Sequence, residues 1–292
     1  PMKLTLNELK QKMEEAKYIA DDSILIPLFL ALKLQKPLLI TGAAGVGKTE
    51  IAKVVAKIFD MELIRLQCYE GLDENKALYE WNYQKQLLHI QGKGTGAEED
   101  IFSEEYLLSR PILKALRSDK KSVLLIDEID KTDAEFEAFL FEVLSDFQVS
   151  VPEWGTVSAK HIPIVILTSN GERELSDGMK RRCVYLNVGY PSIEKEIAIV
   201  NAKVPELGPE LTWQLARGTA YLRNELSLRK DPSIAEALDW ANSLVQLDAD
   251  RFSEKLVEDT MNLLLKDEED FAEFERHGGA ARMMRSMTKE SN

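Results

Sequence analysis

Five short strand-like segments, most of them apolar, alternate with amphipathic segments over the first two thirds of the chain. They cover residues 37–41, 62–67, 122–127, 163–168 and 183–188. Uninterrupted apolar runs are typical of strands that are buried on both faces of a parallel sheet, and apolar residues at period 3.6 predict helices between them. The pattern predicts an α/β fold with a five-stranded parallel sheet flanked by helices.

The predicted helices of this part cover residues 5–19, 21–34, 104–117, 133–147 and 174–182. Pro111 interrupts the third of them and can restart it, because proline is tolerated in the first turn of a helix. A hairpin is predicted at 148–161, with a Pro-Gly turn at 152–155.

Beyond Pro191 the pattern is helical throughout. The predicted helices cover residues 193–202, 210–226, 232–247 and 253–265, followed by one charged helix that ends near 287. We therefore expect an α/β nucleotide-binding domain at 1–190 and a small all-helical lid domain at 191–292.

A glycine-rich loop joins the first predicted strand to a helix. Residues 42–49, GAAGVGKT, fit G-x-x-x-x-G-K-[ST] in the strand–loop–helix context that this motif needs. Backbone N–H groups and the helix N-terminus then cradle phosphates, Lys48 reaches the β- and γ-phosphates, and the Thr49 hydroxyl ligates Mg²⁺. The expected nucleotide contacts are Gly42, Ala43, Ala44, Gly45, Val46, Gly47, Lys48, Thr49 and Glu50.

Two acids follow the apolar strand at 122–127, and an amide follows the next one. We expect Asp127 to hold Mg²⁺ through water and Glu128 to orient and polarise an attacking water. Asn170 can donate to the γ-phosphate or to that water; the alternative is an ordinary turn asparagine. An acidic pair is weak evidence alone, but downstream of a phosphate loop it indicates a hydrolytic site.

Basic residues end the predicted helix at 174–182. Arg181 and Arg182 have a simple explanation, since cations at a helix C-terminus interact favourably with the helix dipole. They also fit an arginine finger offered to the γ-phosphate of a neighbouring subunit. Their position after Asn170 favours the second interpretation.

An aromatic and glycine-containing segment separates the second and third predicted strands. It carries Tyr79, Trp81 and Tyr83, then spaced glycines at 92–96 and acidic residues at 98–100. The glycines lack the flanking strand and helix of a second phosphate site and predict a loop. The sequence leaves open whether the aromatic residues form an exposed working loop or cover the sheet.

Composition narrows the classes of protein. The 292 residues are 45% hydrophobic and 30% charged, as expected of a globular chain with a sizeable core. No apolar run approaches the ~18 residues of a membrane span, and the first residues lack a signal-peptide pattern. Cys68 and Cys183 lack metal-ligand spacing and suggest reduced thiols, so we expect a cytoplasmic protein with no membrane contact. The net charge of −13 argues against broad electrostatic capture of DNA or RNA, so we expect no nucleic-acid partner.

The order of these motifs resembles that of the AAA+ ATPases, and the resemblance covers nearly the whole chain. Several runs of the amino-acid sequence are similar to those of the MoxR branch, specifically the CoxD-like proteins associated with carbon monoxide dehydrogenase maturation. The matching runs are LQCYEGLDENKALYEW at 66–81, NYQKQLLHI at 82–90, FSEEYLL at 102–108, EFEAFLFEVLSDFQV at 135–149, LTSN at 167–170 and ELSDGMKRRCVYL at 174–186.

The resemblance implies a role for each motif. Residues 42–49 match Walker A, Asp127 and Glu128 match Walker B, and Asn170 matches sensor 1. Arg182, with Arg181 as its rival, falls where the family carries its arginine finger. Arg229 lies where a sensor-2 arginine is expected, in a loose register next to a second basic residue.

The resemblance also implies cofactors and partners. These are ATP and Mg²⁺, a homo-oligomeric and most often hexameric ring, a von Willebrand A-domain adaptor and a client metalloenzyme. The segment about 72–96 would be the helix-2 insert and about 148–161 the pre-sensor-1 hairpin, both facing the central pore. The expected function is an ATP hydrolase that acts as a chaperone for a partner enzyme.

Three alternatives stay open. The chain could be a nucleotide-gated scaffold with negligible hydrolysis, which the intact Glu128 argues against. It could be a nucleic-acid-stimulated motor or GTPase on the same fold, which the acidic charge argues against. A small-molecule kinase shares the phosphate loop but needs neither lid helices nor a finger acting across subunits.

Overall fold

The computed structural model describes residues 3–92, 107–152 and 154–288, with the backbone alone described at 79–81 and 107–109. The chain forms two compact units. The first contains Pro1–Lys12, Asp22–Gly42 and Lys48–Asn187, and the second contains Met13–Asp21, Ala43–Gly47 and Val188–Asn292.

The centre of the first unit is a five-stranded sheet in which every neighbouring pair is parallel. Its strands are β1 (Leu38–Thr41), β2 (Leu63–Gln67), β5 (Val123–Asp127), β8 (Ile164–Ser169) and β9 (Val184–Asn187). They lie in the order β2-β5-β8-β1-β9. The predicted α/β fold with a five-stranded parallel sheet is confirmed. All five residues of β5 are buried, which explains the apolar run before the acidic pair.

Helices precede and flank this sheet. They are α1 (Leu6–Glu15), α2 (Asp22–Leu34), α3 (Lys48–Ile58), α4 (Glu74–Leu78), α5 (Tyr83–Gly92), α6 (Pro111–Arg117), α7 (Ala134–Asp146) and α8 (Asp177–Arg182). The core between α6, α7 and the sheet includes Ile112, Leu124, Ile126 and Leu140, all buried. Asp133 caps α7 by accepting from the Phe136 N–H at 2.8 Å, so the helix begins where the sequence predicts.

Two antiparallel pairs complete the first unit. The predicted hairpin forms from β6 (Gln148–Val151) and β7 (Gly155–Ser158). The helix predicted at 104–117 is wrong in its first half, because residues 107–109 form β4 (Leu107–Ser109), which pairs with β3 (Tyr79–Trp81). Arg110 is extended and Pro111 opens α6, so the proline starts a helix there and does not interrupt one. Residues 104–106 lie outside the described part.

The segment predicted as an insert, about 72–96, is described only as far as 92. Within that range it contains α4, β3 and α5, and the Tyr83 side chain is exposed. The side chains of Tyr79 and Trp81, the glycines at 94 and 96 and the acidic residues at 98–100 lie outside the described residues.

The second unit is helical in its described part after 188. Its helices are α9 (Ile193–Lys203), α10 (Pro209–Glu225), α11 (Ile234–Gln246), α12 (Glu254–Thr260), α13 (Glu268–Arg276) and α14 (Gly279–Thr288). Trp240 is fully buried at the centre, and its indole N–H donates to Thr260 Oγ1 at 2.8 Å. The single last helix predicted from sequence is wrong: Gly278 has φ +104°, which ends α13 and separates it from α14. Within the described residues, no helix is long and apolar enough to cross a lipid bilayer.

Candidate active site

The glycine loop follows β1 and leads directly into α3. Gly45 and Gly47 have φ of +80° and +99°, a left-handed backbone that residues with a Cβ adopt only under strain. The remaining loop positions are Ala43 and Ala44, both exposed, Val46, which is buried, and Glu50, half-buried in the first turn of α3. The local sequence therefore builds a tight turn at a helix N-terminus, as a phosphate-binding loop requires.

The second unit contains both the loop residue Gly45 and the helix that touches it. Ser233 caps α11 in a capping box with Glu236, and the Ala235 N–H donates to the Gly45 carbonyl oxygen at 3.4 Å. A Cβ placed on Gly45 would lie 2.5 Å from Ser233 Oγ, which is too close for real atoms. Sequence reasoning missed this contact. The S-x-x-E signature at 233–236 marks the helix start but does not show what the helix start touches.

Lys48 is buried at the start of α3. Its ammonium group donates to the Gly42 carbonyl oxygen at 2.8 Å. Burial lowers the pKa of Lys48 below its ordinary value, and the nearby carboxylates of Asp127, Asp130 and Glu128 partly oppose that shift. The cation is thus placed in a partly desolvated site, where water screens its attraction to a bound phosphate only weakly.

Asp127 ends β5, and its carboxylate is almost fully buried. Oδ1 lies 3.4 Å from the Thr49 hydroxyl. The carboxylate also accepts hydrogen bonds from the Thr168 hydroxyl and from the Arg65 guanidinium. A hydroxyl and a carboxylate oxygen side by side at a phosphate loop are the oxygen donors that Mg²⁺ prefers, so these residues fit the ion.

The site lacks a cage made of protein ligands alone. Among the described residues, no group of three or more His, Cys, Asp or Glu side chains could hold a metal ion. Mg²⁺ in nucleotide sites is usually held by one or two protein oxygens together with phosphates and water. The donor set of Thr49 and Asp127 therefore suits a metal that arrives with a nucleotide.

Glu128 has an unusual backbone and a restrained side chain. Its φ and ψ are +59° and +49°, and its N–H donates to Thr168 Oγ1 at 2.9 Å. A left-handed backbone at a non-glycine residue costs on the order of 1 kcal/mol, and such strain is concentrated at functional sites. The buried Thr168 hydroxyl thus contacts both acids, because it donates to the Asp127 carboxylate and accepts from the Glu128 N–H.

Three side chains surround the Glu128 carboxylate. The Gln67 amide nitrogen donates to Oε2 at 2.8 Å, the Lys131 ammonium group lies 2.9 Å from the same oxygen, and the Asn170 amide nitrogen lies 3.4 Å from Oε1. The pKa of Lys131 is raised, chiefly by its hydrogen bond to Glu128. The structure therefore places the Asn170 amide beside the Glu128 carboxylate.

Gln67 and Lys131 were missed by sequence reasoning. Gln67 is opposite Asp127 in the parallel register of β2 and β5. Its position at the end of a predicted strand is the one sequence feature that could have indicated a place in the site. The glycine loop follows β1, on the other side of β5 in the strand order. Because the 2.8 Å contact to Gln67 is shorter than the 3.4 Å contact to Asn170, the Glu128 carboxylate is held on the β2 side.

An ion pair between the half-buried Arg173 and the buried Glu137 supports the segment after Asn170. Arg173 donates to Glu137 Oε2 at 2.8 Å and to the Thr132 carbonyl oxygen at 2.9 Å, and Glu137 Oε1 accepts from the Ser176 N–H at 2.7 Å. Burial alone would raise the pKa of Glu137, but the hydrogen bonds from Ser176 and Arg173 outweigh it, so the pKa is lowered. This pair fixes the start of α8 relative to α7.

The two predicted finger residues end α8 and are both exposed. The Arg182 guanidinium carbon lies 4.3 Å from the centre of the Phe141 ring, a cation–π contact with α7. The neighbouring Lys180 pairs with Glu174 at 2.6 Å. Arg181 makes no ion pair or ring contact within the described residues. The side chain of Arg182 is thus oriented by packing against α7.

Arg229 lies in the second unit and forms ion pairs with acidic residues at the start of α13. Its guanidinium is 3.3 Å from Asp267 and 3.6 Å from Glu269, and its backbone N–H donates to Asp270 at 2.7 Å. Within the second unit, the contacts with Gly45 come from Ser233 and Ala235. The sensor role expected of Arg229 stays a prediction.

Both cysteines are free thiols. Cys68 directly follows Gln67 and is buried, and Cys183 directly follows Arg182 and is half-buried. Burial raises the pKa of each thiol to about 12. The thiols therefore stay protonated near neutral pH and are poor nucleophiles.

Comparison with known proteins decides the family. Residues 38–188 match the ATPase family associated with various cellular activities (AAA), and this stretch is more than half of the chain. The chain belongs to the AAA ATPase family. Membership supports nucleotide binding and ATP hydrolysis, and it accounts for the glycine loop, the acidic pair and Asn170 at one edge of the sheet. ATPases of this family typically form hexameric rings.

Curated relatives of this AAA ATPase include chaperones. ClpB of Bacillus cereus is 27% identical over 181 residues, which are 60% of this chain and 19% of that protein. ClpB of Mycoplasma genitalium is 29% identical over 193 residues, 59% of this chain and 25% of that protein. The chain therefore spans about a fifth to a quarter of the length of these relatives.

Solved structures support the fold. A mutant of Thermotoga maritima RuvB superposes with a TM-score of 0.53 at 17% identity and covers 94% of this chain and 74% of that one. A second RuvB mutant gives 0.52 at 16% identity with the same coverage. At this identity the likeness shows the architecture alone.

Proposed function

We propose that this AAA ATPase is a MoxR-type chaperone of the CoxD-like branch. In this proposal, ATP hydrolysis remodels a partner enzyme and assists maturation of its metal cofactor, with a carbon monoxide dehydrogenase-like molybdenum enzyme as the client. The proposal is supported by the resemblance of runs such as 135–149 and 174–186 to that branch. The similarity to proteins named as ClpB chaperones supports a remodelling role in general.

The observation that carries the proposal is the Glu128 carboxylate within electrostatic range of the buried Lys48. Lys48 would hold phosphate oxygens, Glu128 would accept the proton of an attacking water, and Asn170 would bind either that water or the terminal phosphate. Glu128 already lies within reach of the Asn170 amide, at 3.4 Å. When bound, Mg²⁺ would neutralise charge on the phosphates, and Thr49 and Asp127 would hold it.

We further propose that the site is completed by a second copy of the chain. Arg182 of a neighbouring subunit in a hexameric ring would approach the terminal phosphate, with Arg181 as the alternative finger. The exposed position of both residues at the end of α8 is compatible with that role. Loss of the phosphate after hydrolysis would remove contacts to Asn170 and Arg182 and change the angle between subunits.

The remaining parts follow the same proposal. Residues 191–292 would act as the lid, and Arg229 would act as a second nucleotide sensor only after its ion pairs with Asp267 and Glu269 open. The insert about 72–96 and the hairpin at 148–161 would face the pore. A von Willebrand A-domain protein would connect the ring to its client.

A nucleotide-gated scaffold is the second candidate, and one observation favours it. The Glu128 carboxylate is held by Gln67 and Lys131 at 2.8 and 2.9 Å. With Glu128 restrained in this way, the protein would hydrolyse ATP slowly until the contacts with Gln67 and Lys131 are released. The scaffold therefore predicts tight ATP binding with undetectable turnover in the assembled protein, whereas the chaperone predicts turnover that a partner stimulates.

Reconstitution tests the client assignment. Purified chain, a von Willebrand A-domain adaptor and an immature carbon monoxide dehydrogenase-like enzyme would be incubated with ATP, and the client's activity measured. We expect activation with the native chain and none with Glu128→Gln, which should bind ATP without hydrolysing it. Hydrolysis without any activation of the client would refute the assignment and leave the ATPase intact.

A further inference from the structure

A buried ion pair joins α9 to α10 in the second unit. The Arg223 guanidinium donates to both carboxylate oxygens of Glu196, at 2.8 and 3.2 Å. The two side chains are only 5% and 1% exposed. The Thr219 hydroxyl donates to the same carboxylate at 2.9 Å. Sequence reasoning gave neither member of this ion pair a role.

The same guanidinium also holds the turn that leads into α11. Its Nε–H donates to the Pro232 carbonyl oxygen at 2.7 Å, and its central carbon lies 5.2 Å from the centre of the Tyr190 ring. The N–H donors of an arginine lie in one rigid plane. Because Glu196 fixes one edge of that plane, the Nε–H has a defined direction, and it meets the Pro232 carbonyl there.

Pro232 is directly followed by the residue that packs on the glycine loop. Ser233 is buried, and its Oγ would lie 2.5 Å from a Cβ placed on Gly45. The Ala235 N–H donates to the Gly45 carbonyl oxygen at 3.4 Å. All of these residues belong to the second unit. A path of contacts and chain bonds therefore runs from the buried ion pair through Arg223 and the 232–233 turn to the glycine loop.

We propose that Arg223 is a positioning residue that holds the 232–233 turn against the glycine loop and so sets the affinity for nucleotide. The loop would bind phosphate oxygens through backbone N–H groups, whose directions depend on its conformation. A looser turn would let Gly45 leave that conformation, and nucleotide binding would then include the cost of ordering the loop. The inference rests on the proposed nucleotide site and is independent of the proposed client.

The contact with Pro232 argues against a purely stabilising ion pair. Apolar side chains of similar size often replace a buried ion pair without loss of stability, so burial of the pair is weak evidence for a role in stability. An apolar pair could not donate to the Pro232 carbonyl oxygen, whereas a guanidinium held by Glu196 can. The arrangement therefore points to placement of the turn.

Two variants remove the contact with Pro232 and leave no buried charge unpaired. Arg223→Lys keeps a cation for Glu196 but lacks the planar fork that reaches both partners. Glu196→Leu combined with Arg223→Met replaces the whole ion pair by apolar side chains of similar size. The matched control is Thr260→Val, because it removes the hydroxyl that accepts from the Trp240 indole N–H in the same unit.

The first measurement is the dissociation constant of ADP with Mg²⁺, by calorimetry. Arg223→Lys and the apolar double variant should each bind ADP about three- to tenfold more weakly than the native chain, the range that loss of one hydrogen bond gives. Thr260→Val should keep the native ADP affinity although its melting temperature falls.

Three results would count against the account, and they are distinguishable. Native ADP affinity in both Arg223 variants would overturn the inference. An equal loss of affinity in Thr260→Val would overturn it too, because the effect would then follow the general stability of the second unit. No ADP binding by the native chain would overturn the nucleotide site itself.

The second measurement separates binding from the chemical step. Glu128 and Asn170 follow strands of the first unit. At protein concentrations that give constant specific activity, Arg223→Lys should therefore raise KM for ATP and leave kcat within about twofold. A loss confined to kcat would overturn the inference.

A double-mutant cycle tests the path from Arg223 to Gly45. Ser233→Gly removes the side chain that packs on Gly45. In that background, Arg223→Lys should weaken ADP binding less than it does in the native chain, because the two residues act through one turn. Fully additive losses in ADP affinity would show that Arg223 does not act through the 232–233 turn.

Discussion

Individual residues at the edge of the sheet hold one another through contacts within the chain. Thr168 bonds both acids of the site, and Lys48 is kept in place by the Gly42 carbonyl oxygen at 2.8 Å. A catalytic arrangement whose groups are already fixed needs little reorganisation when substrate binds. Glu128 is the exception, since its short contacts hold it on the β2 side.

Gly45 provides the first prediction at this scale. Gly45→Ala should lower the free energy of unfolding by about 1–3 kcal/mol, because a Cβ adds strain at positive φ and collides with a neighbour. The neighbour is Ser233 Oγ, at 2.5 Å from the added carbon. Thermal or urea unfolding of the variant measures the loss.

A double variant separates the two causes. Ser233→Gly removes the colliding side chain and by itself costs only ~0.3 kcal/mol, since glycine is an acceptable helix cap. It should restore part of the stability of Gly45→Ala and leave the part due to the backbone. Full additivity of the two changes would contradict the close contact between the loop and α11.

The sequence predicts the residues that carry chemistry better than the residues that hold them. Lys48, Asp127, Glu128 and Asn170 follow from local motifs at strand ends, and the structure brings them together. Gln67 and Arg65 do not follow from local motifs. They reach Glu128 and Asp127 because of the register of β2 against β5, which no local sequence pattern contains. Long-range pairing is the information that the chain pattern lacks.

At the scale of elements, Glu137 connects α7 to the segment that leads into α8. Its side chain is buried and binds both Arg173 and the N–H of Ser176, the N-cap residue of α8. The pair also joins the segment after Asn170 to the Thr132 carbonyl oxygen. Changes in Glu137 should therefore affect the elements that carry Asn170 and Arg182.

Glu137→Gln gives a prediction that depends on pH. The folded protein lowers the pKa of this carboxyl below its ordinary value of 4.5, so its contribution to stability is complete above pH 4.5 and is lost as pH falls through the folded-state pKa. At pH 7 the variant should be less stable by roughly 2 kcal/mol, the scale of a hydrogen bond to a charged group.

Unfolding of the native chain and Glu137→Gln at pH 7 and below pH 4.5 measures this effect. The difference between the two proteins should shrink toward low pH. The matched control is the same substitution at an exposed residue of α7, Glu142→Gln, measured at the same pH values. A difference that stays constant from pH 7 to the acid limit would mean that the charge of Glu137 is not what stabilises the pair.

Two elements show where local patterns fail. The strand β4 has three residues and forms only by pairing with β3, so a helix was predicted across it. The last predicted helix is divided at Gly278, whose φ of +104° is incompatible with a continuing helix. In contrast, the sequence predicts β5 and α7 closely. The continuous apolar run of β5 and the capping residue Asp133 before α7 are local features of the sequence.

At the scale of the whole molecule, the proposed arginine finger requires an active site that is shared between copies of the chain. Membership of the AAA ATPase family supports hydrolysis by this chain and makes a ring the expected assembly. The site residues that would act within one chain lie at the sheet edge, and the proposed finger, Arg182, ends α8. A monomer should therefore hydrolyse ATP poorly, and specific activity should rise as protein concentration drives assembly.

The most direct test is specific ATPase activity against protein concentration for the native chain, Glu128→Gln, Arg182→Ala and an equimolar mixture of the two variants. Native activity should rise with concentration. Each variant should lose at least about 100-fold, the usual minimum for removing a general base or an arginine finger. The mixture should recover part of the activity, because an intact Glu128 then meets an intact Arg182 across an interface. Concentration-independent activity that survives Arg182→Ala would contradict the shared site.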